Sequence, residues 1–302
     1  MITLGALTGG IELGLIYSIL ALGVFLSFRT LNTPDLTVDG SIVTGGAISA
    51  SFCTFGFPFA PVLGLIVAFI GGAAAGAVTA LLNTKLRIQP LLAGILVMLG
   101  SYSINLRLMG DRANLPLMSG DTVYTSAKAF FSEEWGSMVF GALILAALIA
   151  LLYFFLKTRL GLALRATGDN EEMVRASGVG SGNMKLLGLS LSNGFVGLAG
   201  GLLVQYQGYA DIGMGVGMVV IGLASVIIGE VIFGTSRLIR RLIAVALGAV
   251  VYRLVLAVAL SLGMKATDMK LISAVIVVIA LSLGAFGESF SLRNKKKVMR
   301  DA

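Results

Sequence analysis

Four ionisable residues fall inside long apolar stretches of this 302-residue sequence, where an unpaired charge at the centre of a bilayer would cost at least ~2.5–3.5 kcal/mol. They are Glu12, Asp39, Glu230 and Arg253. Counted at 1.5 Å per residue, Glu12 and Arg253 both lie about 12 Å from the outer edge of a hydrocarbon core about 30 Å thick. Their matching depths predict a Glu12–Arg253 ion pair that fixes helix register, with substrate contact as the alternative. Glu230 lies near the inner end of its stretch, where Arg237 or Arg240 could pair with it.

A second group of polar residues interrupts the apolar segment at residues 36–56, which is poorly suited to lipid. Polar, glycine-containing backbone is tolerated at membrane depth only where it is buried in protein or lines a cavity. We therefore expect this segment inside a helix bundle, with its polar residues along a water-accessible path. The candidate pathway residues are Asn32, Thr37, Asp39 and Ser41.

The stretch between residues 158 and 183 carries the signals of a short helix capped at both ends. Asp169 is a suitable N-cap, and Glu172 stands three residues later, as in a capping box. Acidic residues near the start and Arg175 near the end match the helix dipole, and Gly178 is a natural C′ residue. A helix of about two turns is marginal in water, so this one needs a partner surface. The candidate docking residues are Asp169, Asn170, Glu171, Glu172, Met173, Val174, Arg175 and Gly178.

Several other chemistries are excluded by what the sequence lacks. It has no His and a single cysteine, Cys53, which excludes a disulfide within the chain and a His/Cys metal site. We therefore predict no catalytic residues and no metal ligands. No Walker A pattern for nucleotide binding is present. The net charge of +7 is interpreted by where its Lys and Arg residues lie, because their location sets the orientation of a membrane protein, and nothing else in the sequence supports nucleic-acid binding.

The elements that must position these residues are transmembrane helices. Hydrophobic residues make up 57% of the chain and charged residues 12%, whereas soluble domains carry about 25% charged residues. A soluble enzyme, a disordered chain and a coiled coil are excluded. We predict an all-α, multi-pass protein of the cell membrane. Its nine predicted spans lie at residues 4–28, 36–56, 59–84, 89–109, 137–157, 184–205, 213–235, 241–263 and 270–287.

The basic residues predict the orientation of these spans. With the N-terminus outside, sixteen of the 22 Lys and Arg residues lie on the inner side, five lie on the outer side and Arg253 lies within a span. The positive-inside rule therefore places the C-terminus in the cytoplasm. We predict one transmembrane domain at residues 1–290 and a basic cytoplasmic tail at residues 291–302. The aromatic outer loop at residues 111–136 is either an interfacial anchor or a docking surface for an external partner.

Three stretches of the sequence resemble one family of transport proteins. Residues 158–170 (TRLGLALRATGDN), followed by Ala-Ser-Gly-Val at 176–179 and by Lys185, resemble the conserved cytoplasmic loop of permease subunits of ATP-binding-cassette (ABC) importers. The sequences GLIYSILALG at 14–23 and FVGLAGG at 195–201 are also similar to that family. The branch that this chain most resembles serves branched-chain amino acids, ribose and related solutes, and the similarity covers most of the chain.

The resemblance implies a set of partners. In this family the loop holds a coupling helix that docks into a groove of a separate ATPase subunit, where ATP and Mg are bound, so this chain itself would hold no cofactor. One coupling helix per chain implies a homodimer, because two ATPase subunits need two. An external substrate-binding protein would deliver the small-molecule solute. Residues 31–41 resemble a subgroup associated with tryptophan and tyrosine, whereas branched-chain relatives carry Asn-Phe-Ala-His-Gly in this region and this chain has no His.

Two other function classes compete with this interpretation. An ion-coupled secondary transporter is the alternative, but the sequence shows no pair of Gly/Pro-interrupted segments in corresponding halves, which such folds often have. An intramembrane enzyme is the third class, but the sequence offers no candidate nucleophile, base or metal cluster for it. Co-purification with an ATPase would distinguish an ABC importer subunit from an ion-coupled secondary transporter.

Overall fold

A computed structural model describes residues 4–54, 59–117, 121–133, 135–264, 268, 271–278 and 282 of the chain. The described residues are mostly helical and include one two-stranded ribbon. The helices are α1 (Leu4–Val24), continued by a π-helical turn (Phe25–Thr30), α2 (Thr37–Thr54), α3 (Ala60–Thr84), α4 (Pro90–Leu108), α5 (Val123–Phe130), α6 (Gly136–Lys157), α7 (Arg159–Asp169), α8 (Glu171–Ala176), α9 (Ser181–Gln207), α10 (Met218–Phe233) and α11 (Leu238–Ser261). The strands are β1 (Asn114–Pro116) and β2 (Tyr209–Asp211).

Six helices among the described residues are long and apolar enough to cross a membrane. They are α1 with its π-helical turn, α3, α4, α6, α9 and α11. Helix α10 is apolar but has only 16 residues, and α2 is too polar to belong to this group. Of the ninth predicted span at 270–287, the structure describes residues 271–278 and 282, which are helical, and the predicted tail at 291–302 lies outside the described residues. The predicted all-helical class is confirmed.

Helices α2 and α9 pack so closely at the centre of the bundle that their backbones touch. A Cβ atom added to Gly45 would overlap the carbonyl oxygen of Gly197, and one added to Gly200 would overlap that of Ile42. Small residues allow this approach because no side chain separates the two helices. Most of α2 is buried, which confirms that this polar segment lies inside the bundle. We define the α2–α9 seam by six residues: Asp35, Thr37, Ser41, Gly45, Asn193 and Gly197.

The other helices surround α2 and α9 in two groups. Helix α3 packs along α9 and, with α4, covers one side, whereas α6, α10 and α11 pack around α1. At one end of the bundle β1 pairs antiparallel with β2, with Leu115 opposite Ala210. At the same end Gln205 Oε1 accepts a hydrogen bond from the Val123 N–H, which attaches α5 to α9. The loops that the sequence predicts on the outer side thus lie together.

Candidate functional site

The predicted docking segment contains two helices where the sequence predicted one. Helix α7 begins after Thr158, whose Oγ1 accepts a hydrogen bond from the Gly161 N–H at 3.2 Å, and it continues through Asp169. The N-cap of α8 is Asn170, whose Oδ1 accepts from the Met173 N–H at 3.0 Å. The prediction that Asp169 caps this helix, with Glu172 completing a capping box, is therefore wrong by one residue.

The end of α8 follows the predicted pattern. Gly178 has a φ of 80°, a left-handed conformation that glycine adopts without strain. Its N–H donates to the Arg175 carbonyl at 3.0 Å, and the Val179 N–H donates to the Val174 carbonyl at 3.2 Å. These two bonds form a Schellman motif, which confirms Gly178 as the C′ residue.

A four-residue polar network fastens α8 to the start of α9. Glu171 Oε2 pairs with Lys185 Nζ at 2.7 Å, and Glu171 Oε1 accepts from Arg175 Nη2 at 2.8 Å and from Ser181 Oγ at 3.1 Å. The hydrogen bond from Lys185, followed by the charges of Lys185 and Arg175, lowers the pKa of the Glu171 carboxyl. The local sequence pattern places Glu171 near the helix start but gives no sign of its partner Lys185, which lies fourteen residues further along the chain.

Burial divides the predicted docking residues into two sets. Val174 is only 4% exposed and packs α8 against the bundle, whereas Met173 is 56% exposed. Asp169, Asn170, Glu172, Arg175 and Gly178 are also exposed. Beside α8 lies a cavity of 660 Å³, bounded by Arg87 and Gln89 of the α3–α4 connection and by Glu171 and Lys185. We call α7 and α8 together the α7–α8 unit. It is held to the bundle on one side and offers Met173 on the other.

The four predicted pathway residues do not gather around one cavity in this conformation. Asn32 is exposed in the stretch between α1 and α2, with a φ of 51°. Thr37 and Ser41 are fully buried. The hydroxyls of Thr37 and Thr79 form a hydrogen bond at 2.6 Å, and Ser41 Oγ donates to Asn193 Oδ1 at 2.7 Å. These two residues therefore face packed protein.

An acidic residue that the sequence analysis missed organises the α2–α9 seam. Asp35 is fully buried, and its Oδ1 accepts from the Thr37 N–H at 2.8 Å. Its Oδ2 accepts from Asn193 Nδ2 at 2.6 Å, and Asn193 also binds Ser41. The position of Asp35, two residues before the first helical residue of α2, is a capping signal that could have identified it.

Asp39, the remaining predicted pathway residue, joins α2 to α10. Its Oδ2 accepts from the Gly217 N–H at 3.0 Å, and its Oδ1 accepts from the Val219 N–H at 2.8 Å. The first N–H groups of a helix have no partner within the helix, and a carboxylate suits the positive end of the dipole. Asp39 therefore accepts hydrogen bonds from N–H groups at the start of α10 that have no partner within that helix.

Helices α2 and α10 both begin at a buried residue that follows a non-helical stretch of the chain. The chain runs without helix through residues 31–36 before α2 starts at the fully buried Thr37. It turns through residues 212–217 before α10 starts at Met218, which is 7% exposed. The expectation that the chain has no pair of Gly/Pro-interrupted segments in corresponding halves stays a prediction, because neither helix is broken within its length.

The predicted Glu12–Arg253 ion pair is not among the four ion pairs of the described residues. Glu12 Oε2 accepts from the Tyr206 hydroxyl at 2.8 Å, on α9. The Arg253 guanidinium lies over the Tyr17 ring, 3.7 Å from its centroid, and its Nε is buried without a hydrogen-bond partner. Five residues separate Glu12 from Tyr17, about 140° around a helix with 3.6 residues per turn. Each of the two charges therefore makes its direct contact with a different tyrosine.

Glu230 is paired, but not with the arginines that its sequence position suggested. Its Oε2 lies 2.5 Å from Arg29 Nη2 and its Oε1 lies 2.7 Å from Arg241 Nε. Arg240 instead donates from Nε to the Phe233 carbonyl at 2.8 Å. The three elements that meet here are the π-helical turn, α10 and α11. Within the part of the chain that the structure describes, no group of three or more His, Cys, Asp or Glu residues could hold a metal ion.

Comparisons with known proteins identify relatives over nearly the whole chain. A family model described as branched-chain amino acid transport system / permease component matches residues 6–281. The tyrosine transport system permease protein of Clostridioides difficile (strain R20291) is 40% identical over 284 residues, which cover 94% of this chain and 93% of the relative. The ribose import permease protein of Escherichia coli (strain K12) is 26% identical over 273 residues, 87% of this chain and 80% of the relative. No solved structure matches the chain significantly.

Proposed function

The chain belongs to the family of branched-chain amino acid transport system permeases, and from this membership we propose its place in a complete importer. It is a multi-pass protein of the cell membrane and the permease component of an ABC-type transport system. The predicted family resemblance is confirmed. We infer that the chain passes a small solute from an external binding protein across the membrane. A separate ATPase subunit, which holds ATP and Mg, drives this step, and this chain binds no cofactor.

The observation that carries this proposal is the construction of the α7–α8 unit. The unit is attached to the bundle by Val174 and by the Glu171–Lys185 ion pair, yet it leaves the apolar side chain of Met173 exposed. An exposed methionine on an anchored helix suits a partner with an apolar groove, since methionine adapts to irregular surfaces. In the proposed importer this partner is the ATPase subunit.

The proposed orientation has nine spans, with the N-terminus outside. It is supported by the clustering of basic residues from separate elements of the chain at one end of the bundle. Arg29, Arg165 and Arg241 border one pocket there, and Arg87 and Lys185 border another. Concentrated Lys and Arg residues mark the cytoplasmic side.

The proposed homodimer is supported by an exposed face of α4. Within an apolar 18-residue stretch of each helix, less than a third of α4 is buried, against more than three quarters of α9, although the two have the same mean hydropathy of 1.6. Gly100, Ser103 and Arg107 lie three and four residues apart on this exposed face, and a Cβ on Gly100 would meet no atom within 4 Å. Polar and small residues in membranes favour contact with protein or water over lipid. We infer that α4 faces the second copy or the solute path between the copies.

Cysteine cross-linking tests the proposed interface. Ser103→Cys in a Cys53→Ala background should give a covalent dimer in native membranes. Leu143→Cys is the matched control, because Leu143 is exposed on the more apolar helix α6. A dimer from Leu143→Cys with none from Ser103→Cys would contradict the α4 interface.

The proposed solute is an aromatic amino acid. The 40% identity to a tyrosine transport system permease supports this class, whereas the more distant ribose permease supports only the general mechanism. Residues 31–41 lie partly in the packed seam, so we assign most of the selection to the binding protein. Uptake of tyrosine and of ribose into vesicles that hold the complete importer tests the class. Ribose uptake without tyrosine uptake would contradict it.

Energy coupling is tested at Met173. Met173→Asp should abolish stimulation of the co-purifying ATPase while the permease still inserts and folds, because this side chain packs little against its own chain. Val216→Asp is the control, since Val216 is 65% exposed beyond β2, at the far end of the bundle. Full ATPase stimulation in Met173→Asp would contradict the coupling role. Uptake without any ATPase would favour an ion-coupled transporter instead.

A further inference from the structure

A small basic pocket lies where the π-helical turn, α7 and α11 meet. Its volume is 180 Å³, and its polar walls include Arg29 from the π-helical turn, Arg165 from α7 and Arg241 from α11. Phe25 contributes an apolar wall, and Asp169 also borders the space. Three guanidinium groups from three separate elements therefore converge on one cavity.

Two of these guanidinium groups are held in place by a shared carboxylate. Glu230, whose side chain is 7% exposed, pairs with both Arg29 and Arg241, and the Arg241 guanidinium lies over the Phe25 ring at 5.2 Å. One buried carboxylate thus fixes two cations and neutralises only one of them. Each guanidinium has five N–H donors, so most of the donors on Arg29 and Arg241 remain for another acceptor.

The third guanidinium has no ionic partner among the described residues. Arg165 is exposed and belongs to none of the four ion pairs found there. Asp169 lies one turn further along α7, but the two side chains do not form a salt bridge. The pocket therefore has an excess of positive charge and of hydrogen-bond donors.

We propose that this pocket binds the phosphate group of an anionic ligand, and that the ligand is the headgroup of an anionic phospholipid. A phosphate has several strong acceptor oxygens, and guanidinium groups bind it with paired, charge-assisted hydrogen bonds. The hydroxyls of Thr235 and Ser236 also line the space and can donate to a phosphate. Asp169 is the acidic residue that borders the pocket, and it forms none of the four ion pairs of the described residues.

The location of the pocket favours a lipid over a free anion. Arg29 stands at the end of the first span, and Leu238 begins α11, so the pocket lies at the edge of the apolar helices. Basic pockets between transmembrane helices at this level are where anionic headgroups bind. A bound headgroup would bridge α7 to the ends of α1 and α11, so lipid composition would affect how firmly α7 is held. This inference does not depend on the transported solute.

The test compares lipids and variants on the full-length chain. Wild-type protein in phosphatidylcholine nanodiscs should melt at a higher temperature when phosphatidylglycerol is added, and native mass spectrometry should retain bound phosphatidylglycerol. Arg165→Gln should weaken this binding about tenfold, as expected for one lost charge-assisted hydrogen bond. Arg159→Gln is the matched control, because Arg159 is an exposed arginine of the same helix that does not border the pocket.

The other outcomes separate the sources of the ligand. Inorganic phosphate that reproduces the Arg165-dependent shift, with no effect of phosphatidylglycerol, would overturn the lipid assignment in favour of a free phosphate. Equal lipid binding by wild type and both variants would overturn the site itself. If Arg165→Gln binds phosphatidylglycerol as tightly as wild type but no longer co-purifies with the ATPase, the pocket would be assigned to contact with the partner subunit.

Discussion

The α2–α9 seam and the α7–α8 unit satisfy their polar groups in opposite ways. In the seam, Asn193 forms hydrogen bonds with both Asp35 and Ser41, and the backbones touch at Gly45. In the α7–α8 unit, one network fixes the position while Met173 stays exposed. This difference in how polar groups are satisfied indicates which region can act as a scaffold. A seam with no spare partner stabilises the bundle, whereas a unit with unused apolar surface is suited to contact another chain.

The largest effect is expected from a methyl group added within the seam. Gly45→Ala should greatly reduce the yield of folded protein, because the new Cβ would overlap a backbone carbonyl of α9 that cannot rotate away. We expect the free energy of unfolding to fall by more than it does in ordinary overpacking, which costs about 1–3 kcal/mol. Fluorescence-detected size exclusion and the melting temperature measure it. Gly5→Ala is the control, because a Cβ there would meet no atom within 4 Å, and it should change neither quantity. Equal behaviour of the two variants would refute the tight seam.

The next effect is expected from removing the amide that links the seam. Asn193→Ala should destabilise the protein by about 3 kcal/mol, since it leaves the buried Asp35 carboxylate and the Ser41 hydroxyl without their partner. The melting temperature measures this loss. Asn114→Ala is the control, because Asn114 is exposed and its 3.5 Å contact with Asp211 is long. A loss no greater than that of the control would show that Asn193 is dispensable.

A smaller effect is expected in the α7–α8 unit, and it depends on pH. The folded-state pKa of Glu171 is lowered from its ordinary value of 4.5, mainly by the hydrogen bond from Lys185. The stability that it contributes is therefore complete above pH 4.5 and is lost as the pH falls below that value and through the lowered folded-state pKa. The protection factor of the α8 amides, which is the intrinsic exchange rate divided by the observed rate at the same pH, should fall over that window in the wild type. Glu171→Gln should show low protection at all pH values, and an unchanged profile in this variant would exclude the network as its cause.

The smallest effect is expected between the two intramembrane charges. Because Glu12 binds Tyr206 and Arg253 stacks on Tyr17, Glu12→Gln and Arg253→Met should be additive within about 0.3–0.5 kcal/mol in melting experiments. A Glu12→Gln/Tyr206→Phe cycle should instead show coupling. Strong coupling between Glu12 and Arg253 would restore the ion pair that their depths suggested.

The sequence predicts those features of the site that depend on local chemistry. Gly178 ends α8 as predicted, because a left-handed residue after a helix is a local requirement. The N-cap of α8 is Asn170 and not the predicted Asp169, because Asp169 is still part of α7. Gly168, near the end of α7, packs against the backbone at Thr30. That contact joins residues far apart in the chain, and no local signal reveals it.

Depth along a helix is predictable from sequence, whereas direction around it is not. Counting residues gave Glu12 and Arg253 the same level, but the neighbours that each one meets depend on how α9 and α11 pack around α1. The same limit hid Asp35, whose capping position was visible but whose partner Asn193 lies 158 residues away. The burial of α2 was predictable, since its polar residues exclude lipid.

The polarity of α2 also constrains how the protein is made. Helix α2 is not among the helices that are apolar enough to enter a membrane alone, and the backbone that receives it belongs to α9, which ends at Gln207. At about 5–20 residues per second, a ribosome needs roughly 10–30 s to synthesise the intervening chain. During that interval α2 has no cognate groove, so its stable integration must wait for α9. Biogenesis of this permease is therefore expected to proceed out of sequence order, with the innermost helix settling late.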